Sequence, residues 1–208
     1  KDCPHFVTST TLCCLAQQPL ENLTVTGSRI YDADLPYLGA MPLRQLCITA
    51  YGPFTESALE KHVSGLTSLT RLELRMCPRI TGTCFASWTH LPLRSVTLEC
   101  NEIGDVELAH LGGLCLEHLT LIWCRNITDA GLVHLKHLPL LSLALQHCMG
   151  ITGTGLAHLG AMFSLQTLDL SNSSHITGTA LGHIRNLLLQ SLNLSWCDAI
   201  RGADMVHL

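Results

Sequence analysis

Between Leu116 and Pro139 the apolar positions change rhythm once. Leu116, Leu119 and Leu121 fall three and then two residues apart, and the alternation over Leu119–Thr120–Leu121 predicts a strand with one buried face. After Cys124, the run Ile127-Thr128-Asp129 places a hydroxyl and a carboxylate where a helix start uses them as caps. Leu132, Leu135 and Leu138 then recur every three residues, a helical stripe that Pro139 closes. Strand, turn and short helix make one unit.

A unit of this size cannot bury its leucines alone, and the chain supplies copies on either side. The first strand leucine recurs at Leu20, Leu43, Leu69, Leu93, Leu116, Leu140, Leu165 and Leu189, at intervals of 23, 26, 24, 23, 24, 25 and 24 residues by subtraction. Eight phased copies predict one α/β solenoid domain over residues 1–208, with a strand opening within a residue or two of each of those leucines. Parallel strands joined by crossovers take a right hand, so the solenoid is expected to be right-handed. Residues 1–19 read as the tail of a preceding repeat, because Cys3, Val7, Leu12 and Leu15 share the phases of Cys148, Ile151, Leu156 and Leu159.

The full pattern, L-x-x-L-x-L-x-x-C/N-x-x-I-T-x-x-x-L-x-x-L, is closest over residues 116–135. It resembles the cysteine-containing subtype of the leucine-rich repeat, best known from F-box proteins and from related bacterial and protozoan proteins. The resemblance covers nearly the whole chain. It implies a parallel sheet on a concave side, helices on the convex side, and recognition of protein partners. The F-box likeness implies selection of ubiquitylation substrates, although these residues contain no F-box-like helical segment. Most copies also have Gly where the family's fullest pattern has Asp, as at Gly153, Gly178 and Gly202.

Repeat two departs most from the template. Tyr51-Gly52-Pro53-Phe54 replaces the usual turn, and the extra residues are expected to enlarge that turn or lengthen the helix around Leu59 and Val63. Trp88, in repeat three, holds a core-facing leucine position and is expected to pack.

Composition narrows the function classes. With 13% charged residues, a formal net charge of −4 and no basic run, nothing prepares the chain for a nucleic-acid backbone. No apolar run reaches membrane-spanning length, no signal or transit peptide opens the chain, and Lys1 at the first position points to a start further upstream. The 11 cysteines are an odd number, and Cys77, Cys124, Cys148 and Cys197 share one repeat position, where Asn101, Ser173 and, in repeat one, Ser28 substitute. Exchange among small hydrogen-bonding residues fits a buried ladder rather than a disulfide framework. No C-x-x-C or zinc-finger spacing occurs. Abundant thiols favour a reducing compartment, cytoplasmic or nuclear. Four acceptor sequons, at Asn22, Asn126, Asn172 and Asn193, favour the alternative of a glycosylated secreted or cell-surface recognition protein. Asn193 is expected mid-strand, a poor acceptor geometry.

Two stripes follow from the register. Residues between strand leucines face away from the core: Arg71, Glu73, Arg75; Ser95, Thr97, Glu99; His118, Thr120, Ile122; Ser142, Ala144, Gln146; Thr167, Asp169, Ser171; Ser191, Asn193, Ser195. At about 4.8 Å per strand, this concave face is roughly 40 Å long. Met76, Cys100, Trp123, His147, Asn172 and Trp196, each just before the cysteine position, form its rim. The expected partner-binding set is Arg71, Glu73, Arg75, Glu99, His118, Ile122, Trp123, Gln146, His147, Asp169, Asn193 and Trp196. Within it, Arg75 and Glu99 are expected to neutralise each other across adjacent repeats. Trp123 and Trp196 have two readings: anchors for a partner, or rings folded over their own turns.

The second stripe is His110, His134, His158, His183 and His207, each preceding a helix leucine. A metal or pH-sensing ladder is one reading; duplication of an ancestral repeat explains it more simply. Asp105 and Asp129 belong to helix starts and read as caps. No nucleophile elbow, P-loop, dinucleotide fingerprint or H-E-x-x-H appears. No catalytic, cofactor or metal residues are assigned. The expectation is a non-enzymatic protein-recognition module, a repeat segment of a larger intracellular scaffold or substrate-recognition protein. Exposed Val7, Leu12, Leu15, Met205 and Leu208 at the solenoid ends predict either end-to-end association between copies or adjoining repeats in a longer protein.

Overall fold

Alternating leucines select extended backbone, and stacking the copies gives each strand a parallel neighbour for its backbone groups. The computed structural model describes residues 9–27, 30–49, 52, 54–99 and 102–207. Its eight strands are β1 (Asn22–Thr26), β2 (Gln45–Thr49), β3 (Arg71–Arg75), β4 (Ser95–Glu99), β5 (His118–Ile122), β6 (Ser142–Gln146), β7 (Thr167–Asp169) and β8 (Ser191–Asn193). They form one open, all-parallel sheet in chain order. Each strand opens two residues after one of the eight repeating leucines. The register is level: Leu72, Val96, Leu119, Leu143, Leu168 and Leu192 lie side by side.

Returning segments are short. Six are α-helical: α1 (Ser9–Leu15), α2 (Leu35–Gly39), α3 (Glu56–Val63), α4 (Asp105–Leu111), α5 (Asp129–Leu132) and α6 (Gly153–Leu159). The 3₁₀ segments are Thr83–Trp88, Val133–Leu135, Gly178–His183 and Gly202–His207. At eight residues α3 is the longest, so the extra length of repeat two enters its helix. Tyr51 and Pro53 of the divergent turn lie outside the described residues, as do Cys3, Val7, Ser28, Cys100, Asn101 and Leu208.

One continuous core runs between sheet and helices, and Leu72, Leu74, Leu119, Leu121, Leu143, Leu145, Leu168 and Leu170 have no solvent exposure. Each leucine buried from water contributes about 1.5–3 kcal/mol. Trp88 packs in this core against Phe85, ring centroids 5.5 Å apart, and its indole N–H donates to the Glu60 carbonyl. Leu12 is also buried, against the expectation of an exposed end, because α1 lies against α2.

After β6, β7 and β8 the ladder is built as its composition implied. The Cys148 thiol donates to the Leu121 carbonyl at 3.7 Å, the Ser173 hydroxyl to Leu145 at 3.4 Å, and the Cys197 thiol to Leu170 at 3.1 Å. Each rung ties its turn to the carbonyl of the second strand leucine one repeat back. The nine cysteines among the described residues are thiols, not disulfides.

Helix starts correct one expectation. Thr55, Thr128 and Thr152 do cap their own helices. Asp105 and Asp129 reach instead into the next repeat. Asp105 accepts the Thr128 N–H at 2.8 Å and its hydroxyl at 2.6 Å. Asp32 makes the same pair of contacts to Thr55, and Glu56 to Thr81. The carboxylates clasp successive repeats together, and Gly153, Gly178 and Gly202 leave the C-terminal repeats without one.

Candidate partner-binding surface

Strand alternation aims every second side chain of β1–β8 away from the core, and curvature decides how much of each is reached by solvent. Arg71 and His118 are exposed; Glu73, Arg75, Glu99, Ile122, Gln146, Asp169 and Asn193 are half-buried. Thr97, Ala144 and Ser171 belong to the same stripe but are buried, because neighbouring strands crowd the inside of the curve. Sequence alternation shows the face and not this crowding.

At β3 the charges pair within their own strand. Glu73 accepts from Arg71 Nη2 at 2.5 Å and Nε at 2.9 Å, and Arg75 Nε lies 3.5 Å from its other oxygen. The expected pairing of Arg75 with Glu99 is therefore corrected: the strands do bring the two residues side by side, but Glu73 lies between two arginines on its own face and takes both. Burial pushes the Glu73 carboxyl up, and the two guanidiniums outweigh that and hold it below the usual carboxylate value. The Cys47 thiol donates to the same carboxylate at 3.6 Å, and burial together with the Glu73 charge raises its pKa. A groove of about 380 Å³ opens here, lined by Asn22, Thr24, Gln45, Cys47, Arg71 and Glu73. The set expected from sequence lacks Cys47 and its β1–β2 neighbours, although they hold the same register positions.

At the other end the face is polar and almost uncharged. Gln146 donates to Asp169 at 2.9 Å, and Asp169 accepts the Ser171 N–H at 2.8 Å. Asn193 accepts the Ser195 N–H and hydroxyl in the same way, at the C-terminal end of β8 rather than mid-strand. These turns end β7 and β8 at three residues where the other strands have five. Burial pushes the Asp169 carboxyl up, and bonds from Ser171, Gln146 and Asn193 bring it below its ordinary value.

The rim has a backbone feature that sequence reasoning missed. Met76, Trp123, His147, Asn172 and Trp196 all have left-handed backbone, with φ between 54° and 61°, and Gly27 holds the position in repeat one with φ 67°. A non-glycine residue pays about 1–2 kcal/mol for that conformation. Gly27, Asn172 and His147 are of types enriched in it, whereas Met76, Trp123 and Trp196 give no such signal in the sequence. The two tryptophans then differ. Trp123 is half-buried, and its indole stacks on His147 of the next repeat, centroids 3.8 Å apart and planes 9° from parallel. The Arg125 guanidinium lies 5.5 Å from the Trp123 ring centroid. Trp196 is 76% exposed, which excludes folding over its own turn.

On the helix side His110 and His158 are half-buried and His134 and His183 exposed; the side chain of His207 lies outside the described set. Among the described residues no three His, Cys, Asp or Glu side chains converge as a metal site. No described helix is long and apolar enough to cross a membrane. Of the sequons, Asn22 and Asn126 are exposed, Asn172 and Asn193 half-buried.

An open parallel sheet in which each strand returns through a short helix defines a repeat solenoid. Residues 185–206 match the family model described as a leucine-rich repeat. Two internalins from Listeria monocytogenes share the architecture. One, inlF, is 23% identical at a TM-score of 0.58 over 89% of this chain and 50% of its own. The other, internalin C2, is 22% identical at 0.54 over 93% of this chain and 82% of its own. The chain thus spans half the length of the internalin inlF structure. No curated protein matches its sequence. The chain has the leucine-rich-repeat fold.

Proposed function

We propose that this chain is a protein-recognition module that holds its partner on the concave face and rim, and that residues 1–208 act as one recognition domain, with residues 1–19 the tail of a preceding repeat. The observation that carries the reading is the rim column: bulky side chains are held out in left-handed backbone, and one of them, Trp196, is 76% exposed. Such strain and exposure are costly to keep unless the ring meets something outside the fold. The polar strand face beneath supplies hydrogen-bonding groups, with Arg71, Glu73, Arg75, Glu99, His118, Ile122, Gln146, Asp169 and Asn193 as its partner-facing set. An open sheet favours recognition over catalysis.

Buried thiols used as ladder donors support a reducing compartment, and with it a role in an intracellular scaffold or substrate-recognition protein. Exposed Leu188 and Val206, with half-buried Leu192 and Leu194, support end-to-end packing at the β8 edge.

A photo-crosslinking residue placed at His118 or Gln146, and separately at Val106 on α4, tests the reading in cells of the native source. Adducts from the two strand positions and none from Val106 are expected. Adducts from Val106 alone would reverse the assignment of faces.

A further inference from the structure

The rim column has a missing rung. Trp123 and His147 carry rings stacked face to face, and two repeats beyond His147 comes the exposed ring of Trp196. Asn172 stands between them, with a short amide where its neighbours have rings. The rungs follow strand spacing, because His147 N–H donates to the Ser171 carbonyl and Asn172 N–H to that of Ser195. At about 4.8 Å per strand, the backbones of His147 and Trp196 are roughly 9.6 Å apart. One flat group packed between two rings needs two contacts of about 3.5–4.0 Å each. The strand spacing across Asn172 matches one such group.

Charge selects which group. Asp169, half-buried on the β7 face three residues before Asn172, and Asp198, exposed two residues after Trp196, flank this stretch of the rim, and both carboxylates add to the upward push that burial gives the Cys197 thiol against a bond from Ser173. Neither forms an ion pair among the described residues. A flat cation meets both requirements, and guanidinium is the side-chain cation that is planar and stacks on rings. The column already makes that contact once, between Arg125 and Trp123. We propose that the notch over Asn172, between His147 and Trp196, receives an arginine side chain from a protein partner. The proposal rests on the recognition reading and names the partner group taken at one point of that surface.

The three tryptophans make the test direct, because the buried Trp88 indole, bonded to Glu60, is an internal control beside Trp123 and Trp196. Four nine-residue Gly/Ser peptides carrying a central Arg, Lys, citrulline or Phe are titrated into the ¹⁵N-labelled chain while the three indole N–H signals are followed. The Arg peptide is expected to move the Trp196 signal and leave Trp88 in place. It should bind about two- to fivefold more tightly than the citrulline peptide, the exposed cation–ring increment. Asp198→Asn should narrow that ratio, and Asn172→Tyr, which fills the notch, should abolish the response. Equal binding of Arg and citrulline, preference for Phe, or no Trp196 response to any peptide would overturn the proposal. Crosslinking from His118 and Gln146 separates the two readings. If it persists in Asn172→Tyr while the peptides give no Arg preference, recognition stands and the arginine notch falls. If it is absent throughout, the recognition reading falls on its own evidence.

Discussion

Asp129 accepts the backbone N–H of Thr152 at 2.7 Å and its hydroxyl at 2.5 Å, 23 residues further along the chain. The Thr154 hydroxyl adds a third contact to the same carboxylate. The clasp depends on what stands opposite it. A Cβ on Gly155 would lie 2.3 Å from Asp129 Oδ1, so only glycine leaves room for this carboxylate. Glu56 is one methylene longer, and Cys84 rather than glycine occupies the equivalent place across from it, donating its N–H at 2.8 Å.

Asp129→Ala should therefore lower unfolding stability by about 1–3 kcal/mol, the cost of removing a charged hydrogen-bond acceptor from donors that relied on it. Gly155→Ala should be destabilising in the native chain and much less so beside Asp129→Ala. Urea unfolding of the single and double variants measures the coupling, expected between about 0.5 and 3 kcal/mol. Strict additivity would show that the clasp and the glycine are independent.

Acid should release the same clasps. Burial pushes the Asp129 carboxyl up, but the bonds from Thr152 and Thr154 outweigh it, and its pKa lies below the ordinary 3.8. Burial and the opposing bonds from Thr81 and Cys84 act the same way on Glu56, below its ordinary 4.5. In both cases the unfolded chain binds the proton more readily than the folded one. Their stabilisation is thus fully present above pH 4.5 and is lost as pH falls through the unfolded values towards the folded ones. Stability measured in urea should be level from pH 7 to 5 and then decline, with a shallower decline in the Glu56→Gln, Asp129→Asn double variant. An unchanged slope in that variant would place the acid sensitivity elsewhere.

Legibility in the sequence followed the range of the interaction. Strand leucines and the cysteine rungs were readable because burial repeats at a fixed local spacing, so Leu119, Leu121 and Cys124 declare their roles within six residues. The Asp129–Thr152 clasp was not, because an aspartate at a helix start looks identical whether it caps its own helix or the next one. Register places Arg75 beside Glu99, whereas side-chain reach along one strand face gives it to Glu73. The rim backbone was hidden for another reason. Trp123, Met76 and Trp196 are poor left-handed residues, so their identity argues against the conformation they hold.

Thiol reactivity should sort by place in the solenoid. Cys13, Cys14 and Cys115 are exposed, whereas Cys77, Cys84, Cys124, Cys148 and Cys197 are buried. Burial together with the Glu56 charge pushes the Cys84 thiol far up, and the neighbouring Cys124 together with burial does the same to Cys148. Brief alkylation of the native protein, followed by peptide mass mapping, should label Cys13, Cys14 and Cys115 and spare Cys77, Cys84, Cys124, Cys148 and Cys197 until urea is added. Early labelling of Cys148 would mean that the ladder opens without global unfolding. Cys148→Ser should be mild, since Ser173 makes the same rung one repeat on.

The two rim tryptophans should respond oppositely to glycine. At Trp196, Gly relieves about 1–2 kcal/mol of left-handed strain and adds about 0.5–1 kcal/mol of unfolded-chain entropy. Because the ring is 76% exposed, little burial is lost, and the net change should lie between zero and about 1.5 kcal/mol in favour of the folded state. Trp123→Gly gains the same relief but gives up the stack on His147, worth about 0.5–1.5 kcal/mol, together with the half-buried ring's apolar contacts. It should be the less stable of the two. Thermal unfolding of Trp196→Gly, Trp196→Ala and Trp123→Gly tests the order, with Trp196→Ala below Trp196→Gly because alanine keeps the strain. If Trp196→Gly instead destabilises by more than about 1 kcal/mol, a typical cost for a point substitution, the ring serves the fold. If the native melting temperature is kept while crosslinking from Gln146 is lost, Trp196 serves the partner.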